Sequence, residues 1–559
     1  MELQIPAAAR PGRCFHSRGF LYSMFSTLRS RASARGRRTD FWVMGVSGAF
    51  MTVFVAAALV SPGVVGTAVD TAFTWSARWF GAYWQLLMLA TFVVITVLAF
   101  SRYGRVRMGG SGKPEFNRFT WVAMITTTLL AAGGVFWAAA EPIAHYSSPP
   151  PQYADQVDEG SAAAVAMAQS FVHWGFIGWA IGGALATLVM MRGVEMGMPL
   201  RPRTLLWPLM GERIRTHWIG TVVDISCVLA VVAGTVGPIG FLGLQISYIC
   251  GQLFGLPDTY AVQALIILGL TVVSAVSVLS GIHKGIQLLS RANVWVALVL
   301  ILAILGMGSL PFVADLYIQA SVVHAQEFLP MALYTGDEQW LGYWTLFFFG
   351  WFLGFGPMMA IFFARISRGR TVRDIYVGAT VLPTVVTTIW FTALGGTGIW
   401  LEKQDPGVIT GPYGRDGLPA AALAILEALP LTAVLGVLTV IVALIFLAST
   451  LDSMSYAISV SSMHEGEPSG LVRAFWCVGM GLAAVALLLV GDGGIQALQS
   501  FIVVTAVPVG LIMLPTLWTT HPLLRDMAIE QGIVVPRPSP DEDGNEGGAR
   551  TPKTEEPVG

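Results

Sequence analysis

Charge is what this chain has least of. Asp, Glu, Lys and Arg make up 12% of its 559 residues, roughly half the share of a typical soluble domain. That shortage excludes an ordinary water-soluble fold, because 55% of the residues are hydrophobic and mean hydropathy is +0.67. Cysteine is scarce as well. Cys14, Cys227, Cys250 and Cys477 share no metal-ligand spacing, and the last three sit in or beside apolar segments, where a buried thiol is ordinary packing. A structural disulfide framework and a thiolate metal site are therefore not expected. A secretory signal is missing too, since the only apolar patch near the start, Phe20 to Phe25, is too short and too polar.

Long apolar runs are abundant. Windows able to cross a hydrocarbon layer of roughly 30 Å fall at 41–61, 80–101, 119–140, 163–191, 218–247, 260–280, 287–309, 340–363, 376–400, 432–457, 474–490 and 493–518. The expected fold is all-α and polytopic, with twelve transmembrane helices over residues 40–518. Arg102, Arg105, Lys113, Arg201, Arg215, Lys284 and the group Arg365, Arg368, Arg370 and Arg373 follow even-numbered windows, whereas the other connections hold only Arg78, Lys403 and Arg415. Positive charge marks the cytoplasmic side, which places both termini in the cytoplasm. Residues 1–39 read as a disordered basic tail and 519–559 as a disordered tail rich in Pro, Gly, Asp and Glu.

The segment from Trp340 to Arg373 carries the sharpest functional signal. Trp344, Phe347, Phe348, Phe349, Trp351 and Phe352 lead into Gly354-Phe355-Gly356-Pro357. Glycine and proline at mid-membrane depth free backbone polar groups that oil cannot satisfy, and transporters build binding sites at such interruptions. A break at 354–357 is thus expected. Window 3 has a matching design, Thr120-Trp121 followed by Gly133-Gly134. The pair suggests a five-plus-five inverted repeat over about 119–309 and 340–518, with two additional amino-terminal helices. Close helix packing is the alternative use of such glycines.

Trp174, Trp179 and Trp351 fall near mid-helix rather than at the interfaces where tryptophan forms belts. Phe348, Trp351, Phe352 and Phe355 share one helical stripe. Hydroxyls suited to a hard cation occur at Ser449-Thr450 and at Thr235 beside Gly234, although Ser and Thr also bond back to their own helix. Asp224 and Asp452 are intramembrane or mouth carboxylates, read as caps or pairs ahead of proton relays. No Lys or Arg lies in any predicted membrane core.

Several ordered motifs resemble the betaine/carnitine/choline transporter (BCCT) family: Lys113-Pro114-Glu115-Phe116-Asn117-Arg118-Phe119-Thr120-Trp121, Glu141-Pro142, His173-Trp174 with Trp179, Ser280-Gly281-Ile282-His283-Lys284-Gly285, Ala364-Arg365-Ile366-Ser367-Arg368-Gly369-Arg370, and Trp390-Phe391 with Gly395-Gly396-Thr397. The resemblance implies a LeuT-like repeat fold, a homotrimer, and transport of a zwitterion or cation bearing a quaternary ammonium. Such a group donates no hydrogen bond and is recognised by aromatic faces. On the family pattern, Trp174, Trp179 and Trp351 match an aromatic box. Phe352 and Phe355 stand where well-known betaine carriers have tryptophan, Gly182 where an aromatic residue is frequent, and Leu129 to Gly133 replace a glycine run. Gly133, Phe348, Phe352 and Phe355 complete the expected substrate site. Ser449 and Thr450, the Phe446 carbonyl, carbonyls of helix 3 and Thr235 are the expected sodium ligands, with Val231 at a place where some members have a second threonine. Expected partners are a small zwitterion and membrane lipid, not nucleic acid, and no resident cofactor.

Two rival functions draw on some of the same residues. Gly45-Val46-Ser47-Gly48 matches a pattern of intramembrane serine proteases, with His173 as a conceivable partner, and a non-transporting solute sensor would share the same binding residues.

Overall fold

The structure, a computed structural model, describes residues 38–535 apart from 111, 130–132, 281–282, 466 and 491–493. Both expected tails thus lie largely outside the described residues. Helices α1 (Phe41–Val60) and α2 (Pro62–Phe100) precede α3 (Arg118–Leu129) and α4 (Gly133–Ser147). One span, Ala162–Glu195, is cut into α5 (Ala162–Trp174), α6 (Phe176–Gly183) and α7 (Leu185–Glu195). Then come α8 (Trp218–Phe254), α9 (Tyr260–Ser280), α10 (His283–Met307) and α11 (Leu310–Gln326). The second half holds α12 (Glu338–Ile366), α13 (Val372–Gln404), α14 (Leu418–Glu427), α15 (Thr432–Ser461), α16 (Gly470–Leu488), α17 (Ile495–Met513) and α18 (Thr516–Glu530).

Among the described residues, 10 helical segments are long and apolar enough to cross a membrane, or 11 if a bent pair counts as one. The bent pair is 292–307 with α11, turned by 103°. Its hinge has a local cause: Gly308 lies where a Cβ would stand 2.8 Å from the methyl of Thr397, and Ser309 caps α11 by accepting from the Phe312 amide. The sequence reading had no helix there. The window at 119–140 appears as α3 and α4 on either side of residues 130–132, so Gly133 and Gly134 open a helix and Leu130, Ala131 and Ala132 lie outside the described residues.

The expected break at 354–357 is not found. α12 runs helically to Ile366 with Pro357 inside it, and its irregular turn is a π-helical one earlier, at Gly342–Leu346. The glycines serve close packing instead: a Cβ at 354 would meet Ala230 of α8 at 3.6 Å, and one at 356 would stand 3.0 Å from Met513 and 3.2 Å from the Ile181 carbonyl. One proline removes one helical hydrogen bond, and a helix gripped on two sides tolerates that loss. The carboxyl tail also begins later than expected, because α18 continues to Glu530 with Leu524, Met527 and Ala528 buried.

At the end bearing most of the arginines, the helices are tied by buried ion pairs. Asp224 accepts from the Arg203 amide at 2.8 Å and from its Nε at 2.7 Å, and Arg201 Nη2 lies 2.8 Å away. Arg201 also donates to Asp40, the N-cap of α1, at 2.8 Å. Asp224 is therefore a paired structural acid, and Asp452 likewise accepts from Arg473 at 2.9 Å. Burial disfavours the Asp40 carboxylate, but the hydrogen bonds from Arg201 and Val43 and the charges of Arg201 and His464 outweigh it and hold the group below the ordinary carboxylate range. Its contribution to stability is thus complete near neutrality and is lost as pH falls through that lowered value. Arg370 and Arg373 bond the carbonyls of Phe116 and Ala99 at 2.7 and 3.0 Å rather than acids.

Removing one partner of a buried pair strands the other charge, a loss of about 3 kcal/mol or more. Asp224→Ala is accordingly expected to lower the thermal midpoint of the detergent-purified protein strongly, and an unchanged midpoint would contradict the structural role.

Candidate functional site

The break that the sequence placed in α12 occurs in its neighbour. α5 stops at Trp174 because Gly175 leaves helical geometry, with φ −100° and ψ −145°. A Cβ at 175 would stand 2.2 Å from the Phe171 carbonyl oxygen, so this turn admits only glycine. The chain re-enters a helix at Phe176 and carries Trp179 on α6.

α12 lies across this break. The indole of Trp174 meets Trp351 edge-on at 5.6 Å between centroids, Phe352 at 5.7 Å and Phe348 at 5.3 Å. Trp179 meets Phe352 edge-on at 4.9 Å. All five are buried, with Trp174 and Trp351 only 6% and 8% exposed, so the rings face protein and not lipid. Phe352 can lie this close because α6 presents a glycine surface. Cβ atoms at 178 and 182 would stand 2.9 and 4.0 Å from its ring. The absence of an aromatic side chain at 182 is thus filled from α12.

Trp351 is fixed by a second backbone irregularity. Gly234 of α8 has Pro238 four residues on, where no N–H exists to take its carbonyl. Trp351 Nε1 donates to that carbonyl at 3.0 Å. Phe355, the last member of the stripe, faces the same glycine: its ring would be 2.6 Å from a Cβ at 234. It therefore sits apart from the Trp174 group, against α8. Gly133 opens α4 at the edge of residues 130–132, so its part in the site is not described.

Sequence reasoning passed over two members. Phe391 of α13 approaches Trp174 at 5.0 Å. Glu141 was taken as the end of a helix, yet α4 continues to Ser147 and leaves this carboxylate fully buried. Its Oε2 accepts from Trp174 Nε1 at 2.7 Å, and its Oε1 lies 2.6 Å from His173 Nδ1. The missed signal was an acid inside an apolar window, a functional suspect by default. By contrast Trp179 Nε1 is buried without a hydrogen-bond partner, and a buried indole N–H ordinarily has one.

The expected sodium ligands occupy α8 and α15, which pack together. Ser449 donates to the Phe446 carbonyl at 3.0 Å and Thr235 to Val231 at 2.7 Å, so each hydroxyl proton is used on its own helix while oxygen lone pairs remain. Thr450 follows Ser449 in α15, partly buried.

The protease constellation is not assembled. Ser47 Oγ is buried without a hydrogen-bond partner, while His173 Nε2 meets Thr345 and Gln169.

Comparison with known proteins identifies the family. The family model described as "BCCT, betaine/carnitine/choline family transporter" matches residues 42–529. The chain is 46% identical over 495 residues to glycine betaine transporter 2 of Vibrio parahaemolyticus, covering 88% of this chain and 91% of that protein. It is 31% identical over 496 residues to glycine betaine transporter 1 of the same organism, covering 84% and 91%. To the betaine/ectoine transporter LcoP of Corynebacterium glutamicum it is 31% identical over 490 residues, covering 85% and 76%. These relatives are transporters and not enzymes, and the match spans the multi-pass helical region described above: the chain is a member of the betaine/carnitine/choline transporter family.

Proposed function

We propose that this protein is a secondary active transporter importing glycine betaine or a closely similar methylated-ammonium zwitterion, by sodium symport with alternating access. The observation that carries the substrate class is the cage itself: Trp174, Trp179, Trp351, Phe348 and Phe352 converge from three helices on one buried locus. A quaternary ammonium is attracted to each ring face by roughly 0.5–2 kcal/mol once desolvated. The names of the relatives, betaine and ectoine transporters, support the same class.

Here the rings touch one another, so a ligand needs Trp174 and Trp351 to part. Gly175 and the α5–α6 break supply a hinge for that movement. The unpartnered Trp179 N–H is a donor that the carboxylate of a zwitterion can use, and the lack of Lys or Arg in α4, α5 and α6 favours a zwitterion or cation over an anion. Sodium is assigned to the Ser449 and Thr450 hydroxyls, the Phe446 carbonyl and Thr235, where the Ser449 and Phe446 oxygens are already adjacent at 3.0 Å. The basic ends of the helices support a cytoplasmic side for both termini. A five-plus-five inverted repeat and a homotrimer complete the proposal by analogy with the family resemblance. Sodium-independent exchange is the alternative, in which the Ser449 and Thr235 hydroxyls serve only as bonds within their own helices.

Trp351→Ala is expected to abolish saturable glycine betaine uptake in proteoliposomes with the protein still in the membrane, and uptake at the unaltered level would remove the cage from the mechanism. Replacing external sodium by potassium is expected to stop concentrative uptake. Uptake indifferent to that exchange rejects symport and leaves substrate exchange.

A further inference from the structure

Behind the ring cluster lies a group of buried ionisable side chains that the proposed transport cycle does not use. Glu141, His145 and His173 are all buried, with ligand-type atoms within 4.8 Å of one another. The distances inside the group describe a hydrogen-bond network. Glu141 Oε1 and His173 Nδ1 are 2.6 Å apart, while His145 Nε2, 3.6 Å from the same oxygen, has no hydrogen-bond partner.

The contacts around the network bear on the form of the carboxyl group. An indole N–H can only donate, so Glu141 Oε2 accepts from Trp174 at 2.7 Å. His173 Nε2 faces the Gln169 amino group and Thr345 Oγ1, each at 3.1 Å, and with Gln169 as donor the ring proton lies on Nδ1. His173 Nδ1–H then donates to Glu141 Oε1. Both oxygens then accept, the arrangement that an ionised carboxylate takes.

A buried anion needs a positive partner or strong donors. No Lys or Arg occurs in α4, α5 or α6, and α12 has only Arg365, at its far end. An ionised Glu141 therefore has donors but no permanent cation. It sits one hydrogen bond behind Trp174, the ring that touches Trp351, Phe348 and Phe352. Hydrogen bonding to an anion polarises the indole and strengthens the negative face it offers to a cation.

We infer that Glu141 is the counter-charge of the aromatic cage, a specificity-determining residue that acts through the Trp174 indole to favour a cationic head group over an uncharged one of the same shape. His173 positions the carboxylate and Thr345, 3.1 Å from His173 Nε2, holds the far side of the ring. This deepens the cage reading and depends on it.

The test compares glycine betaine with 3,3-dimethylbutyrate, which has carbon in place of the quaternary nitrogen, by titration calorimetry on the purified full chain in lipid nanodiscs. Glu141→Gln keeps an oxygen for the Trp174 N–H and removes only charge. The expected result is a loss of about tenfold in glycine betaine affinity with 3,3-dimethylbutyrate little changed, so that the ratio between the two collapses. Trp174→Phe keeps an aromatic face and cuts the link to the carboxylate, and is expected to lower the ratio as well; it serves alone if Glu141→Gln does not fold. A wild-type ratio in either variant, or equal losses for both ligands, overturns the counter-charge, as does a wild-type protein that does not prefer the cation. Trp351→Ala binding glycine betaine as tightly as wild type would instead sink the cage, and the counter-charge with it.

Discussion

A backbone carbonyl without its helical partner governs the geometry of this site. Pro238 cannot donate to the Gly234 carbonyl, and lipid offers nothing in exchange. Trp351 supplies the missing donor at 3.0 Å, which fixes the indole across the gap between α8 and α12. With Trp351 held there, Trp174 meets it at the very end of α5, before a turn at Gly175 that has no room for a side chain. The cage is thus the consequence of two backbone irregularities, one in α8 and one between α5 and α6.

The same economy explains the second layer. Trp174 needs an acceptor for its own N–H, and Glu141 provides it from α4. Glu141 in turn needs a second donor and finds His173, the residue beside Trp174 in sequence. A ring, an acid and an imidazole are therefore mutually oriented without any cation of the chain. Less ordering is left for binding in such an arrangement, because the hydrogen bonds behind the rings are in place and only the ring faces must part.

Much of this was legible in the sequence, and the failures are instructive. Trp174, Trp179 and Trp351 stood out because tryptophan at mid-membrane depth is expensive unless its N–H is met, and all three are buried at one locus. Asp224 read correctly as a paired acid. The break was assigned to the wrong helix because Gly-Phe-Gly-Pro looks the same whether it interrupts a helix or lets two neighbours approach it. Contacts from Ala230, Ile181 and Met513 decide for packing. A single glycine, Gly175, carried the real break and has no pattern around it. α11 escaped notice because its 17 residues are too short for a span, and Glu141 because a helix end was drawn six residues early, before Ser147.

The central claim is that a cation displaces aromatic rings from one another at Trp174 and Trp351. Its most direct test is an experimentally determined structure of the protein in lipid with glycine betaine bound. The account predicts the trimethylammonium group between those two indoles, parted beyond their present 5.6 Å separation. Ligand density elsewhere, with the two rings still in contact, would contradict it.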